Sequence, residues 1–183
     1  AIGLKSGGSG EKIIDGPDFF NGYGLLDAKG AVDRIKFKQY FEFEIGLNNT
    51  QELSIEINNV DSIKFTLAWD DKFNDDMNTE KELFNDLDLK LVSPSGIIYY
   101  PWTLDSQNPE NLAIRTKEDR LNNLEQVYVA KNQVEAGIWK VLVECFDCKT
   151  SQKFSLVSEA FSKVSNNFIG DSLVGYFPFN GNA

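Results

Sequence analysis

The chain has 183 residues, 42% of them hydrophobic and 13% aromatic, which is enough apolar material for a buried core. Its net charge is −10 and no basic cluster is present, so nucleic acid and anionic membranes are disfavoured as partners. The chain contains no histidine, which excludes a complete Ser–His–Asp or Cys–His catalytic unit within these residues.

The first predicted elements are a flexible lead and one helix. Residues 1–12 are rich in Gly, Ser and Lys, a composition typical of a linker. The stretch "GLLDAKGAVDRI" then places apolar residues at helical spacing, which predicts a short amphipathic helix over 25–34. No apolar run reaches the ~20 residues that a membrane-spanning helix needs, so no membrane span is predicted.

The remainder of the chain to about residue 160 shows the two-residue period of half-buried antiparallel strands. A polar, Asn-rich stretch over 101–122 has no period and predicts a long loop. About eight short strands behind one helix favour an all-β fold, an antiparallel β-sandwich of jelly-roll type preceded by a short N-terminal helix. The predicted strands are 40–47, 52–59, 62–69, 86–93, "IIYY" (97–100), 124–130, 137–145 and 153–159.

An acidic segment, 70–88, carries eight Asp or Glu residues and two lysines, more than half of the net charge of the chain. Asp86 and Asp88 are two apart on one predicted strand and therefore face the same way, away from the core. Asp70 and Asp71 end the strand that we expect to neighbour it, so four carboxylates and the Asn85 amide are predicted to meet. Calcium prefers such oxygen ligands. A solvated acidic loop without metal is the alternative.

Cys145 and Cys148 are the only two cysteines, in a C-x-x-C spacing at the end of a predicted strand. A redox pair is expected at the start of a helix instead, and no second C-x-x-C completes a zinc site. A local disulfide beside the turn "KTSQ" is the favoured state of an exported protein, with two free thiols as the alternative. Ligand binding elsewhere is not assigned. Trp102 is predicted to be partly exposed, and ordinary packing is favoured for it over the alternative, a sugar-stacking platform with Tyr99 and Tyr100.

The stretch "GPDFFNGYGLLDAKGAVDRI" (16–35) resembles the closing segment of a subtilisin-like serine protease catalytic domain. In that family a Gly-Tyr-Gly turn leads into a last helix, and the catalytic serine lies upstream of it. A generic loop and helix is the alternative. The pattern G-x-G-x-x-[DN]-A-x-x-A-V is matched by Gly22, Gly24, Asp27, Ala28, Ala31 and Val32, with Tyr23 inside the turn.

The middle of the chain carries a second resemblance. "LAWDD", "NDLDLKLVSPSG", "NNLEQVYV" and "GIWKVLVE" look like the β-sandwich that follows the catalytic domain of some secreted subtilisin-like proteases, which is similar to the P-domain of proprotein convertases. The final "LVGYFPFNGNA" looks like the first strand of a laminin-G-like or concanavalin-like domain. The resemblance implies the tail of a catalytic domain over 1–36, the sandwich over 37–160, and a linker with the start of a further domain over 161–183.

Two functions follow from these observations. The resemblance implies a secreted or cell-surface, non-catalytic accessory region of a subtilisin-like endopeptidase, with its own catalytic domain and protein substrate as partners. It also implies calcium at Asp70, Asp71, Asn85, Asp86 and Asp88, because related sandwiches use equivalent acidic positions. Leu25, Leu26 and Val32 are then expected to present an apolar face that needs cover. The alternative is a calcium-assisted carbohydrate-binding or adhesion module of a surface protein.

Overall fold

The computed structural model describes residues 16–73 and 83–160, and the described part is an all-β sandwich with one short helix in front. This confirms the predicted fold class. The predicted lead over 1–12 and the predicted linker and domain start over 161–183 lie outside the described residues. The elements are α1 (Ala28–Lys36), β1 (Tyr40–Ile45), β2 (Thr50–Ile57), β3 (Ile63–Trp69), β4 (Asn85–Val92), β5 (Ile98–Tyr99), β6 (Leu124–Val129), a 3-10 turn (Lys131–Gln133), β7 (Gly137–Cys148) and β8 (Gln152–Val157).

The strands form two four-stranded sheets with the orders β1-β8-β3-β6 and β2-β7-β4-β5. Every described pairing is antiparallel, and the first strand pairs with the last, the second with the seventh, the third with the sixth and the fourth with the fifth. The strands therefore behave as one long hairpin rolled over on itself, which is the jelly-roll arrangement. The predicted jelly-roll type is confirmed by this strand order.

One side of each sheet supplies the core, because successive side chains in a strand point to opposite faces. In β3 the residues at every second position are buried, and β7 alternates in the same way from Trp139 onward. The most deeply buried apolar side chains come from both sheets: Ile57, Ile63, Phe65, Leu67, Leu87, Leu89, Leu91, Val127, Val129, Trp139, Val141 and Leu156. Burial of this apolar surface is the main stabilising term of the fold.

The helix begins three residues later than predicted, at Ala28, because Asp27 caps it. The Asp27 carboxylate accepts a hydrogen bond from the Gly30 N–H at 2.8 Å, the usual geometry of a helix N-cap. Leu25 and Leu26 precede the cap and are not helical. Their apolar spacing was compatible with a helix, but the capping carboxylate fixes its start.

The expectation that β3 neighbours β4 is wrong. The two strands lie in different sheets and meet across the sandwich instead of pairing. The indole N–H of Trp69, at the end of β3, donates to the backbone carbonyl of Asn85 at 3.0 Å. The ends of the two strands are therefore close in space, as the acidic segment requires, but through side chains and not through a β-ladder.

The described residues contain one α-helix, α1, and no helix among them is long and apolar enough to cross a membrane.

Candidate functional site

The outer edge of β4 is paired over only a short part of its length. β5 has two residues and pairs with Leu91 and Val92, whereas β4 begins at Asn85. Unpaired backbone groups at a buried strand edge are costly unless another group satisfies them. Residues 100–123, which connect β5 to β6 and which we call the covering loop, supply part of that cover.

Glu125, at the start of β6, reaches the open edge of β4. Its Oε2 accepts a hydrogen bond from the Leu89 N–H at 2.6 Å, and its side chain is fully buried. Its other oxygen, Oε1, is also buried and has no hydrogen-bond partner within 16–73 and 83–160. Glu125 therefore joins the edge of one sheet to the unpaired edge of the other through a side chain.

Burial raises the pKa of Glu125 well above its ordinary value, because a carboxylate loses hydration in this position. The Leu89 N–H opposes that shift, while the nearby carboxyl groups of Asp88, Asp119 and Asp86 add to it. The protonated form of Glu125 is consequently favoured in the folded chain over a wider pH range than in the unfolded chain.

Arg120, in the covering loop, lies on the carboxylates of β4. Its Nη1 is 2.5 Å from Asp88 Oδ1 and 3.6 Å from Asp86 Oδ2. Its guanidinium carbon lies 3.4 Å from the centre of the Phe146 ring, a cation–π contact. Phe146 is the extra residue of a β-bulge in β7, between the partners of Asp86 and Leu87. The bulge therefore places an aromatic ring beside the arginine that faces the two carboxylates.

Asp86 and Asp88 were predicted to face the same way, and both carboxylates do face Arg120. Their side of β4 is covered by the covering loop and is not exposed to solvent. Asp88 is 1% exposed, and burial raises its pKa although Arg120 acts in the opposite direction. β4 is thus buried on both faces along most of its length, by the core on one side and by the covering loop on the other.

The other three predicted ligands are placed differently. The Asp71 carboxylate accepts hydrogen bonds from the backbone N–H groups of Phe84 and Asn85, at 2.7 and 3.0 Å. The Asn85 amide donates to Gln152 Oε1 at 2.7 Å and accepts from the Lys149 N–H at 2.9 Å. Asp70 is exposed. Both Asp71 and Asn85 therefore fix the junction between the chain after β3, the start of β4 and the β7–β8 turn.

These arrangements do not assemble a metal site from the described side chains. Over 16–73 and 83–160, no group of three or more His, Cys, Asp or Glu residues is arranged to hold a metal ion. The cation that faces Asp86 and Asp88 is Arg120, and Asp71 and Asn85 hold the hydrogen bonds given above. Four further acids of the predicted segment (Asp75, Asp76, Glu80, Glu82) lie outside the described residues, and calcium stays a prediction.

Cys145 and Cys148 are joined by a disulfide within the last residues of β7, with their Cα atoms 5.8 Å apart. The bond spans the bulge that carries Phe146 and ends one residue before the turn into β8. That this disulfide forms in the exported protein stays a prediction. Counting free thiols in the unreduced, denatured protein checks it, and we expect none.

The N-terminal segment is attached to the sandwich at the covering loop. Gly16 (φ +96°) packs so closely on Trp102 that a Cβ at this position would lie 2.8 Å from the indole ring. Burial raises the pKa of the Tyr23 hydroxyl, and the carboxyl groups of Asp119 and Glu125 raise it further. The Gly-Tyr-Gly turn therefore places its tyrosine within the electrostatic field of these two carboxyl groups.

The expectation that Trp102 is partly exposed is wrong. Trp102 is 7% exposed, because Gly16 covers one part of its ring and the Arg115 guanidinium lies 4.4 Å from the ring centre. Its backbone N–H donates to Gln126 O at 3.0 Å, which caps the outer edge of β6. Trp102 is therefore a packing residue of the covering loop and is not part of a sugar-stacking platform.

Sequence reasoning missed Glu125, Arg120 and Tyr23 as members of this site. A signal for Glu125 was available, since it shares the two-residue period of Val127 and Val129 and is thus a charged residue at an inward position. No comparable signal marked Arg120, because the covering loop has no period from which to place it.

The comparisons with known proteins leave the family open. No family model matches the chain, and no curated protein matches it. Among solved structures, the CspB protease of Clostridium perfringens matches with a TM-score of 0.39 and 12% identity, over 67% of this chain and 25% of that one. The chain spans about a quarter of the length of that protease, and a likeness at this level describes a weak structural neighbour and carries no functional argument.

The buried carboxyl of Glu125 predicts how stability depends on pH. Because the pKa of Glu125 is raised in the folded state, the folded chain keeps the Glu125 proton at a pH where the unfolded chain has lost it. The unfolded chain loses this proton as the pH rises past 4.5, the ordinary pKa of a glutamate. This residue thus stabilises the folded chain most below that pH and progressively less above it. We expect Glu125→Gln to be more stable than wild type by about 1–3 kcal/mol at pH 8 and nearly equal to it at pH 4.

Urea unfolding at the two pH values measures this difference, with Glu42→Gln, an exposed position on β1, as the matched control. Equal pH dependence of wild type and Glu125→Gln would show that Glu125 does not retain its proton on folding.

Proposed function

We propose that this chain is a non-catalytic accessory region of a secreted subtilisin-like serine endopeptidase. In this proposal residues 1–36 are the tail of the catalytic domain, and the sandwich over 37–160 stabilises that domain or helps to position protein substrates. The absence of histidine from the sequence means that the catalytic unit has to be supplied by other residues of the parent protein.

The observation that carries the proposal is the exposed apolar surface of the N-terminal segment. Phe20 and Leu26 are 88% and 87% exposed, and α1 contains no buried residue. The expected exposure of Leu25, Leu26 and Val32 is confirmed, and the same segment also exposes Phe19, Ile35 and Phe37. Many exposed large apolar side chains within one short segment are typical of a surface that another domain covers.

The residues that match the protease pattern have specific conformational tasks in this segment. Gly22 and Gly24 have φ values of +55° and +91°, a region that glycine adopts without the cost other residues incur. Asp27 is the N-cap of α1. The pattern therefore corresponds to a turn and a capped helix, which supports an interpretation as an inherited structural unit over a chance match.

The attachment of this unit to the sandwich supports a role in positioning. Arg34 of α1 forms an ion pair with Glu159 and a hydrogen bond with Gln39, so the helix is held at the end of β8. At the other end of the segment, Gly16 packs on Trp102 of the covering loop, and the half-buried Tyr23 lies in the field of the Asp119 and Glu125 carboxyl groups. A catalytic domain that covers the apolar surface would consequently be oriented relative to the sandwich.

The test uses the full-length protein, whose gene is expected to encode a "G-T-S-M-A"-like serine motif and an earlier histidine motif upstream of Ala1. Leu26→Asp is expected to shorten the half-life of peptidase activity at elevated temperature by about fivefold or more, because it places a charge in a buried interdomain surface. Leu47→Asp is the matched control, since Leu47 is an exposed leucine in the β1–β2 turn.

In the 183-residue chain by itself, Leu26→Asp is expected to change stability by less than about 0.5 kcal/mol, because Leu26 is exposed there. An unchanged half-life of full-length Leu26→Asp, or upstream sequence without the serine and histidine motifs, would contradict the proposal.

Calcium binding by the acidic segment 70–88 is part of the proposal, with Asp70, Asp71, Asn85, Asp86 and Asp88 as its proposed ligands. Asp70 is the exposed residue among them. An ion that binds only the folded chain raises its melting temperature in proportion to RT ln(1 + [Ca²⁺]/Kd). We expect the midpoint to rise between chelator and ~1 mM calcium, and to rise less in Asp70→Asn.

Glu42→Gln, which changes an acid outside the segment, is the control and is expected to respond as wild type does. Equal midpoints of the wild-type chain in calcium and in chelator would overturn the calcium assignment.

A further inference from the structure

A second surface of the sandwich has the composition of a ligand site. Between β5 and β6, beyond the part of β4 that Glu125 covers, lies a depression of about 290 Å³. Its walls include Tyr99, Tyr100 and Tyr128, together with Arg115 and Gln133. Three tyrosines and two long polar side chains therefore converge where the two sheets do not pair.

The walls of this depression are held in place by buried neighbours. The Tyr99 ring lies 5.6 Å from the buried Trp139 ring, and its hydroxyl donates to Gln133 O at 3.3 Å. Arg115 stacks on the Trp102 ring and donates from Nη1 to Tyr128 O at 2.6 Å. Such fixed side chains lose little conformational entropy when a ligand binds.

Charged groups near the depression act on the Tyr99 hydroxyl in opposite directions. Burial raises the pKa of Tyr99, the Glu135 carboxylate raises it further, and the Arg115 guanidinium lowers it. The tyrosine hydroxyl thus lies within the field of one negative and one positive group. Lys64 Nζ lies 6.0 Å from the centre of the Tyr128 ring, so charges of both signs lie near the depression. On a chain of net charge −10, this mixture suits a neutral ligand better than a strongly anionic one.

We propose that this depression, which we call the tyrosine pocket, binds a neutral saccharide. The flat faces of tyrosine rings pack against the C–H faces of a sugar ring, and hydroxyl, amide and guanidinium groups are complementary to sugar hydroxyls. Its volume of about 290 Å³ is at the lower end of the size of small-molecule sites, which corresponds to one or two sugar rings.

This proposal does not depend on the protease assignment or on calcium, because its residues belong to β5, β6 and the segments next to them. It can fail while the proposed function holds, and the reverse is also true. Failure of the Leu26→Asp experiment would leave the tyrosine pocket unchanged.

The test is a titration of the ¹⁵N-labelled chain with soluble neutral oligosaccharides of glucose, xylose, mannose and galactose, each to about 10 mM, followed by NMR. Oligogalacturonate is the anionic comparison. The expected result is that at least one neutral oligosaccharide shifts the amide signals of Tyr99, Tyr100, Thr116 and Tyr128, while the signals of β1 and β2 stay in place.

Two pocket variants and one control locate the binding. Tyr100→Ala and Gln133→Ala are each expected to raise the Kd about tenfold, whereas Tyr40→Ala, at a tyrosine on β1, leaves it unchanged. Gln133 is exposed, so its truncation tests the pocket even if Tyr100→Ala perturbs folding. The proposal is overturned if no neutral saccharide binds, if only oligogalacturonate binds, or if Gln133→Ala and Tyr40→Ala bind alike.

Discussion

The hydrogen bond from the Leu89 N–H to the buried Glu125 carboxyl is the interaction on which the rest of the arrangement depends. A jelly roll leaves the strands at the ends of its two sheets without partners, and in this chain β5 is too short to cover β4. Glu125 accepts the hydrogen bond of the Leu89 N–H in place of a further strand, and Arg120 pairs with the carboxylates of Asp88 and Asp86. This arrangement buries the Glu125 carboxyl group completely, and loss of hydration destabilises its charged form. Burial therefore favours the protonated form.

The covering loop also supports the N-terminal segment and the tyrosine pocket. Its tryptophan, Trp102, contacts Gly16 and Arg115, and Arg115 is also a wall residue of the tyrosine pocket. The Asp119 and Glu125 carboxyl groups raise the pKa of Tyr23 in the N-terminal segment. The N-terminal segment and the tyrosine pocket are thus both supported by the loop that covers β4, so the proposed attachment to a catalytic domain and the proposed saccharide site would share one support.

Much of the fold was predictable because strands that are buried on one face leave a two-residue period in the sequence, as in "YFEFEI" and "SIKFTLAW". The strand order was not predictable, and β3 was consequently placed beside β4 instead of opposite it. The candidate site was predicted only in part. Asp86 and Asp88 do face one cation, but that cation is an arginine from a loop without periodicity, and long-range ion pairs leave no local pattern. The start of α1 depended on the side-chain cap at Asp27, which spacing alone does not fix.

Amide hydrogen exchange at Leu89, followed by NMR, tests the central role of Glu125 most directly. We expect the Leu89 amide to exchange as slowly as the ladder amides of β4 and β7, and Glu125→Ala to remove this protection while Val141 and Val143 retain theirs. If the Leu89 amide of the wild-type chain exchanged as fast as an exposed loop amide, Glu125 would not have this central role.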